Sequence, residues 1–300
     1  MKIKIALLTL FLSFSSQAKK IAITFDDAPM PDSALFTGEQ RTNKIINSLQ
    51  KSGVQDALFF ITTKHITPES QSRLKTYTDA GFHLANHSHA HISANKNDVD
   101  TFIKDFNQAH NILENKASFL PFYRFPYLHH GNTVQKRDQI RAHLQASGYQ
   151  QGYVTIDNYE WYLNSKLQQA LNKQKAIDYE ALKQVYITTL ADGIAFYDEI
   201  AIKALGRSPK HVLLLHENDI TALFVGDLIA HLKSKGWEII SAQQAYTDPI
   251  AKELPDVLFN GQGRVAAIAN SKGVAAKTMV GKWESTDKLD ALLAQKKVFK

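Results

Sequence analysis

Cysteine is absent from all 300 residues, which excludes disulfides, thiolate metal ligands and a cysteine nucleophile. Long apolar runs are absent as well. The apolar stretch at residues 5–14 is well short of the about 20 residues that a membrane-spanning helix needs, and no later stretch is more apolar. Basic runs are also missing. The formal net charge of +6 is scattered, as on a solvated surface, and leaves no nucleic-acid footprint; at most it favours anionic cell-envelope surfaces. Neither an internal repeat nor a low-complexity linker divides the chain, so no domain boundary is expected within 19–249.

What is present begins with the N-terminus. Met1-Lys2-Ile3-Lys4, the apolar residues 5–14 and the small-x-small triplet Ser16-Gln17-Ala18 have the order of a secretory signal. Residues 1–18 are therefore expected to be removed, leaving a mature chain in the periplasm or outside the cell. The remaining residues suffice for one large domain with its own core, which must hold together without disulfides.

Short apolar runs alternate with longer segments of helical period, the pattern of an α/β fold. Strands are expected at 20–25, 57–61, 83–85, 123–125, 152–156, 211–215 and 238–240. Helices are expected at 42–52, 68–80, 99–114, 134–147, 165–172, 178–205 and 220–235, with Gly53, Gly81, Gly148 and Gly236 at helix ends where a left-handed C-cap belongs. Seven strands with intervening helices predict a distorted parallel (β/α) barrel in a single catalytic domain, residues 19–249. Residues 250–300 are expected to pack on it as an extension ending in an amphipathic helix at 285–297.

Polar clusters follow five of these strands. Asp26-Asp27 ends the first, and two adjacent carboxylates repel, so a cation nearby is the natural compensation. Residues His87-Ser88-His89-Ala90-His91 follow the third. A helical turn would align His87 with His91, an extended segment would align His87, His89 and His91, and either offers imidazoles at metal-ligand spacing. Arg124-Phe125-Pro126-Tyr127, Asp157-Asn158-Tyr159-Glu160-Trp161 and Leu214-Leu215-His216-Glu217 complete the set. Residues just past the C-terminal ends of parallel strands face a common mouth, so five such clusters point to one active site.

The order and wording of the clusters resemble the polysaccharide deacetylases, the NodB homology domain or carbohydrate esterase family four, over about residues 20–245. The resemblance implies a metal held by Asp27, His87 and His91, with Asp26 as general base, Arg124 orienting it and His216 as general acid supported by Glu160. It further implies an oxyanion contact from the Tyr127 backbone, and a pocket for the acetyl methyl walled by Trp161 and Leu214. Three departures stand out: Ala28 where a glycine usually follows the Asp pair, Leu128-His129-His130-Gly131 where a glycine usually follows the tyrosine, and Glu160 where an aspartate is usual. Glu160 keeps the charge but lies one methylene further from its backbone.

The chemistry agrees with the resemblance. Amide hydrolysis needs an activated water, a polarised carbonyl and a proton for the departing amine. The expectation is therefore a metal-dependent hydrolase removing N-acetyl groups from amino-sugar polymers of peptidoglycan or chitin type. Zn2+ is the expected ion, with Co2+ or Ni2+ as alternatives. O-acetyl esterase activity and a catalytically silent carbohydrate-binding protein are the rival readings. Tyr159, Tyr162, His129 and His130 are candidates to line a sugar groove. The partner expected is a carbohydrate, with neither nucleic acid nor stable membrane insertion of the mature chain.

Overall fold

The computed structural model describes residues 18–300; the expected signal segment, apart from Ala18, lies outside the described residues. The elements run β1 (Lys19–Ala28), α1 (Gly38–Lys51), β2 (Leu58–Ile61), α2 (Gln71–Asp79), β3 (His83–Asn86), α3 (Val99–Leu113), β4 (Phe119–Tyr123), α4 (Val134–Ala146) and β5 (Gln150–Gln151). They continue as α5 (Glu160–Asn172), α6 (Tyr179–Leu205), β6 (Lys210–His216), α7 (Asp219–Ser234), β7 (Trp237–Ile240), α8 (Ala242–Ala245), α9 (Gly263–Ser271) and α10 (Thr286–Gln295). Side-chain caps start the principal helices: Thr37 and Gln40 form a capping box on α1, and Asp98, Thr133, Asp178 and Asn218 cap α3, α4, α6 and α7.

All strand pairs are parallel, in the order β5-β4-β3-β2-β1-β6, and β7 lies beside the first residues of β1, below the point where β2 begins. The two-residue period of β1 sorts its side chains. Ile21, Ile23 and Phe25 pack outward under the helices, whereas Ala22 joins an inner cluster with Leu58, Phe60, Val212 and Ile240. Thr24 and Asp26 continue that inner row, and Asp26 pairs in register with His216 at the end of β6. The alternation thus delivers two titratable side chains to the mouth of the barrel.

The sheet curls until its edges almost meet. Residues 152–156, expected to form a strand, instead cross from β4 to β6: the Gly152 N–H donates to Tyr123 O at 2.7 Å, and the Thr155 and Ile156 N–H groups donate to Val212 O at 3.0 and 3.2 Å. A single bridge, Ile156 to Leu213, closes the ring. The fourth strand also sits earlier than expected, at Phe119–Tyr123 rather than 123–125. Pro121 interrupts its apolar run and hides the strand, because proline supplies no N–H to a ladder.

The residues beyond Pro249 contribute to the interior. Ile250 and Ile268 join the inner cluster, α9 lies on α6, and Phe299 bridges Ile177.

The crossing is tightly built, since a Cβ on Gly152 would come within 2.5 Å of the Phe60 ring, whereas one on Gly148, at φ +73°, meets nothing within 4 Å. Gly152→Ala is expected to lose about 1–3 kcal/mol from overpacking, and Gly148→Ala about 1 kcal/mol from its left-handed backbone. Urea midpoints measure both, and an equal or smaller cost at Gly152 would mean that the crossing is loosely packed.

Candidate active site

Asp26 is almost fully buried at the end of β1, and Arg124, wholly buried, donates to its Oδ1 from Nη1 at 2.7 Å. The guanidinium is fixed on every side. Its Nε donates to Gly152 O at 2.8 Å, Nη1 also donates to Thr24 Oγ1 at 2.8 Å, Nη2 donates to Tyr246 OH at 3.0 Å, and its carbon lies 3.9 Å from the centre of the Phe60 ring. Asp26 Oδ2 is left facing His87 Nε2 at 3.6 Å.

Asp27, at φ +67°, sits in a bulge near the end of β1, after which Ala28 pairs with Ile61. The loop that follows is tied down from behind: Glu217 Oε2 accepts from the Met30 N–H at 2.6 Å, Arg73 donates to both Glu217 oxygens at 2.6 and 2.8 Å, and Arg41 donates to Asp219 at 3.0 Å. These groups are all nearly inaccessible to solvent. Arg41 and Arg73 escape sequence reasoning because each sits in a helix where an arginine ordinarily faces water. The acids that draw them inward lie 144 to 178 residues away in the chain.

The histidine segment is neither a helical turn nor extended. Ser88 and His91 both take left-handed backbone, φ +74° and +53°, and the Ser88 hydroxyl accepts from the His91 N–H at 2.8 Å. The resulting turn brings His87 and His91 together and sends His89 away, where Asp105 accepts from its N–H at 2.9 Å and its ring bonds Thr63 and Gln108. His91 Nε2 lies 3.4 Å and His87 Nε2 3.7 Å from Asp27 Oδ1, and the three potential ligand atoms lie within 4.8 Å of one another.

This donor set fits a divalent metal ion. His87 Nδ1 lies 2.8 Å from Arg124 O, a carbonyl that can only accept, so Nδ1 carries the proton and the Nε2 lone pair faces Asp27. Burial alone would raise the Asp27 pKa, but the electrostatic pull of His87, His91 and His216 towards an ionised carboxylate and the Thr62 hydrogen bond outweigh it and hold the carboxyl at about 2. Burial and the neighbouring His87 push His91 down to about 4. An ionised carboxylate beside imidazoles with available lone pairs is the form in which such ligands bind.

Across the mouth, His216 Nδ1 lies 2.9 Å from Glu160 Oε2, while Thr221 donates to Glu160 Oε1 at 2.6 Å. The longer side chain of Glu160 therefore reaches His216. Asn158 sets the approach, accepting from the Glu160 N–H at 2.9 Å and donating to Leu214 O at 2.6 Å. Burial opposes a charge on His216, but the Glu160 hydrogen bond and carboxylate prevail and raise its pKa to about 9. Asp157, to which sequence reasoning gave no role, also faces the cleft. Burial and then the nearby Glu284 push its pKa up to about 8.

These groups open into a cleft of about 540 Å³. Tyr127 and Trp161 flank it, 58% and 45% exposed, and Leu214 lies beneath. Tyr159 and His129 line it too. His130 and Tyr162 do not: the His130 N–H donates to Asn260 Oδ1 at 2.7 Å, clasping the C-terminal segment, and Tyr162 packs against the core beneath α5.

The curled parallel (β/α) barrel matches the fold of solved carbohydrate esterase family four structures. Residues 15–151, which hold three of the five motifs, match the family model described as polysaccharide deacetylase. No curated protein matches the chain in sequence. Among solved structures, a pseudoenzyme of the same esterase family from Bacillus anthracis is 16% identical with a TM-score of 0.54, covering 76% of this chain and 65% of its own. The chain thus spans just under two thirds of that protein. A family 4 acetyl xylan esterase from Clostridium thermocellum, solved with cobalt, is 17% identical with a TM-score of 0.51, covering 76% and 91%. A mutant of the peptidoglycan deacetylase PdaC from Bacillus subtilis is 18% identical with a TM-score of 0.50, covering 79% and 92%. At these identities the likeness establishes the fold.

The Glu160–His216 pair has a pH signature. Because the folded pKa of His216 is raised to about 9, its stabilising contribution is complete below its unfolded value of about 6.5 and is lost as pH rises through about 9. In Glu160→Gln the His216 titration, followed by NMR on metal-free protein, is expected to fall towards about 6.5, and the stability loss between those pH values to disappear. A midpoint still near 9 in the variant would mean that another group charges His216.

Proposed function

We propose that the protein is a metal-dependent hydrolase that removes N-acetyl groups from amino-sugar polymers of peptidoglycan or chitin type. The observation that carries this reading is the convergence on one cleft of Asp27, His87 and His91 with two hydrogen-bonded pairs, Asp26 on Arg124 and His216 on Glu160. Zn2+ suits one carboxylate and two imidazoles, with Co2+ or Ni2+ as substitutes. A divalent ion held there would lower the pKa of a bound water from about 15.7 towards about 7 and polarise the acetyl carbonyl.

The remaining work falls to the chain. Asp26, oriented by Arg124, is the general base, and its free Oδ2 faces the ligand set. His216, held protonated by Glu160, gives its proton to the departing amine. The Tyr127 backbone N–H is the oxyanion donor, and Trp161 and Leu214 wall the acetyl methyl. An amide requires a proton on its leaving nitrogen, so the reach of Glu160 to His216 favours amide over ester substrates. Retention of Asp26, Arg124 and His216 argues against a silent binding protein. The secretory pattern of the first 18 residues supports a periplasmic or secreted enzyme.

Asp27→Ala, His87→Ala and His91→Ala are each expected to lose stoichiometric metal, and His89→Ala to retain it, as read by elemental analysis. Metal loss in His89→Ala with retention in His91→Ala would overturn the ligand set.

Asp26→Asn should keep the metal while turnover falls by about 10²–10⁴-fold. Acetate release from N-acetylglucosamine oligomers by the zinc-loaded mature protein, with this variant as the blank, tests the whole reading. Activity on acetyl esters alone would move the assignment to the esterase.

A further inference from the structure

Behind the cleft, a separate cavity of about 40 Å³ lies between the turn after β4, the crossing at 151–154 and the C-terminal segment. It shares Phe125, Leu128 and Gly261 with the cleft. Its volume exceeds the about 10–15 Å³ that admits one water. Three guanidinium groups, those of Arg124, Arg141 and Arg264, line it, and no carboxylate does. Arg264, only 4% exposed, donates to the carbonyls of Ile250 and Glu253 at 2.9 and 2.6 Å and to the Gln151 side chain. Among the described residues Arg141 makes one hydrogen bond, Nη2 to Pro255 O at 3.2 Å. Asp138 and Asp256 both pair with Arg137 at 2.7 Å, and Glu253, whose charge also reaches Arg264, makes no ion pair with it among the described residues. Arg124, which also lines the cavity, is taken by Asp26.

A further observation is the Tyr153 hydroxyl, which, in a residue 5% exposed, is buried and has no hydrogen-bond partner among the described residues. Burying a guanidinium among carbonyl oxygens leaves its net charge uncancelled, and cancelling it takes an anion.

We propose that this cavity binds a small monovalent anion, a chloride or an acetate-sized carboxylate, between the guanidinium groups of Arg264 and Arg141 and the Tyr153 hydroxyl. The bound anion ties the C-terminal segment to the wall of the cleft. Its binding needs no turnover, so it stands or falls separately from the reaction proposed above.

The test is thermal unfolding at constant ionic strength, with gluconate, too large for the cavity, replaced stepwise by chloride or by acetate. A saturable rise in midpoint with either small anion is expected. Tyr153→Phe and Arg141→Gln, which leave the structural bonds of Arg264 intact, should each weaken it about tenfold, since a hydrogen bond to a charged group is at stake. Crystals soaked in bromide should show an anomalous peak beside Arg264. Response to both anions identifies a general small-anion site, and response to acetate alone a carboxylate site. No saturable rise, or a rise equal in the wild type and both variants, would leave the cavity to water and overturn the site.

Discussion

Arg124 is a permanent positive charge in the interior of the barrel, and Asp26 is its ion-pair partner. Breaking such a pair from one side typically costs about 3–5 kcal/mol, because the survivor is left charged and unpaired. The rest of the mouth is organised around that constraint. Thr24, Gly152, Tyr246 and the face of Phe60 come from four parts of the chain to satisfy one guanidinium. The Arg124 carbonyl then sets the tautomer of His87. One residue thus couples the closure of the barrel, the orientation of a base and the lone pair of a ligand.

A second buried network, Arg41 and Arg73 with Glu217 and Asp219, supports the other half of the site. It holds the loop after Asp27, so the ligand carboxylate and its loop are gripped from behind. On the far side Glu160 charges His216, while burial and then Glu284 from the C-terminal segment discourage charge on Asp157. Two carboxyls only three positions apart in sequence therefore meet opposite environments. One is kept as the partner of an imidazolium, and the other is driven towards its neutral form.

The parts of this arrangement legible in the sequence are those with a local cause. Strand alternation in residues 20–25 fixes which face Asp26 occupies, and glycines end α1, α2, α4 and α7 where helical period stops. The grouping of polar residues after apolar runs reveals the mouth. The sequence is less informative where distant residues decide. The turn that separates His89 from His87 and His91 depends on Ser88 and Asp105, and neither advertises that role. Residues 152–156 carry a strand composition yet act as a crossing, because their partners are Tyr123 on β4 and Val212 and Leu214 on β6 rather than one neighbouring ladder. His130 has the look of a groove residue until Asn260, far along the chain, claims its N–H.

The register of β1 also has a temporal consequence. Its first residues lie between β6 and β7, and the Thr24 hydroxyl donates to the carbonyl of Leu213, 189 residues later. The strand that presents Asp26 and Asp27 thus precedes every other described strand in the chain and is among the last to be enclosed. Contacts of such long sequence separation make folding slow and leave an apolar strand unpaired meanwhile.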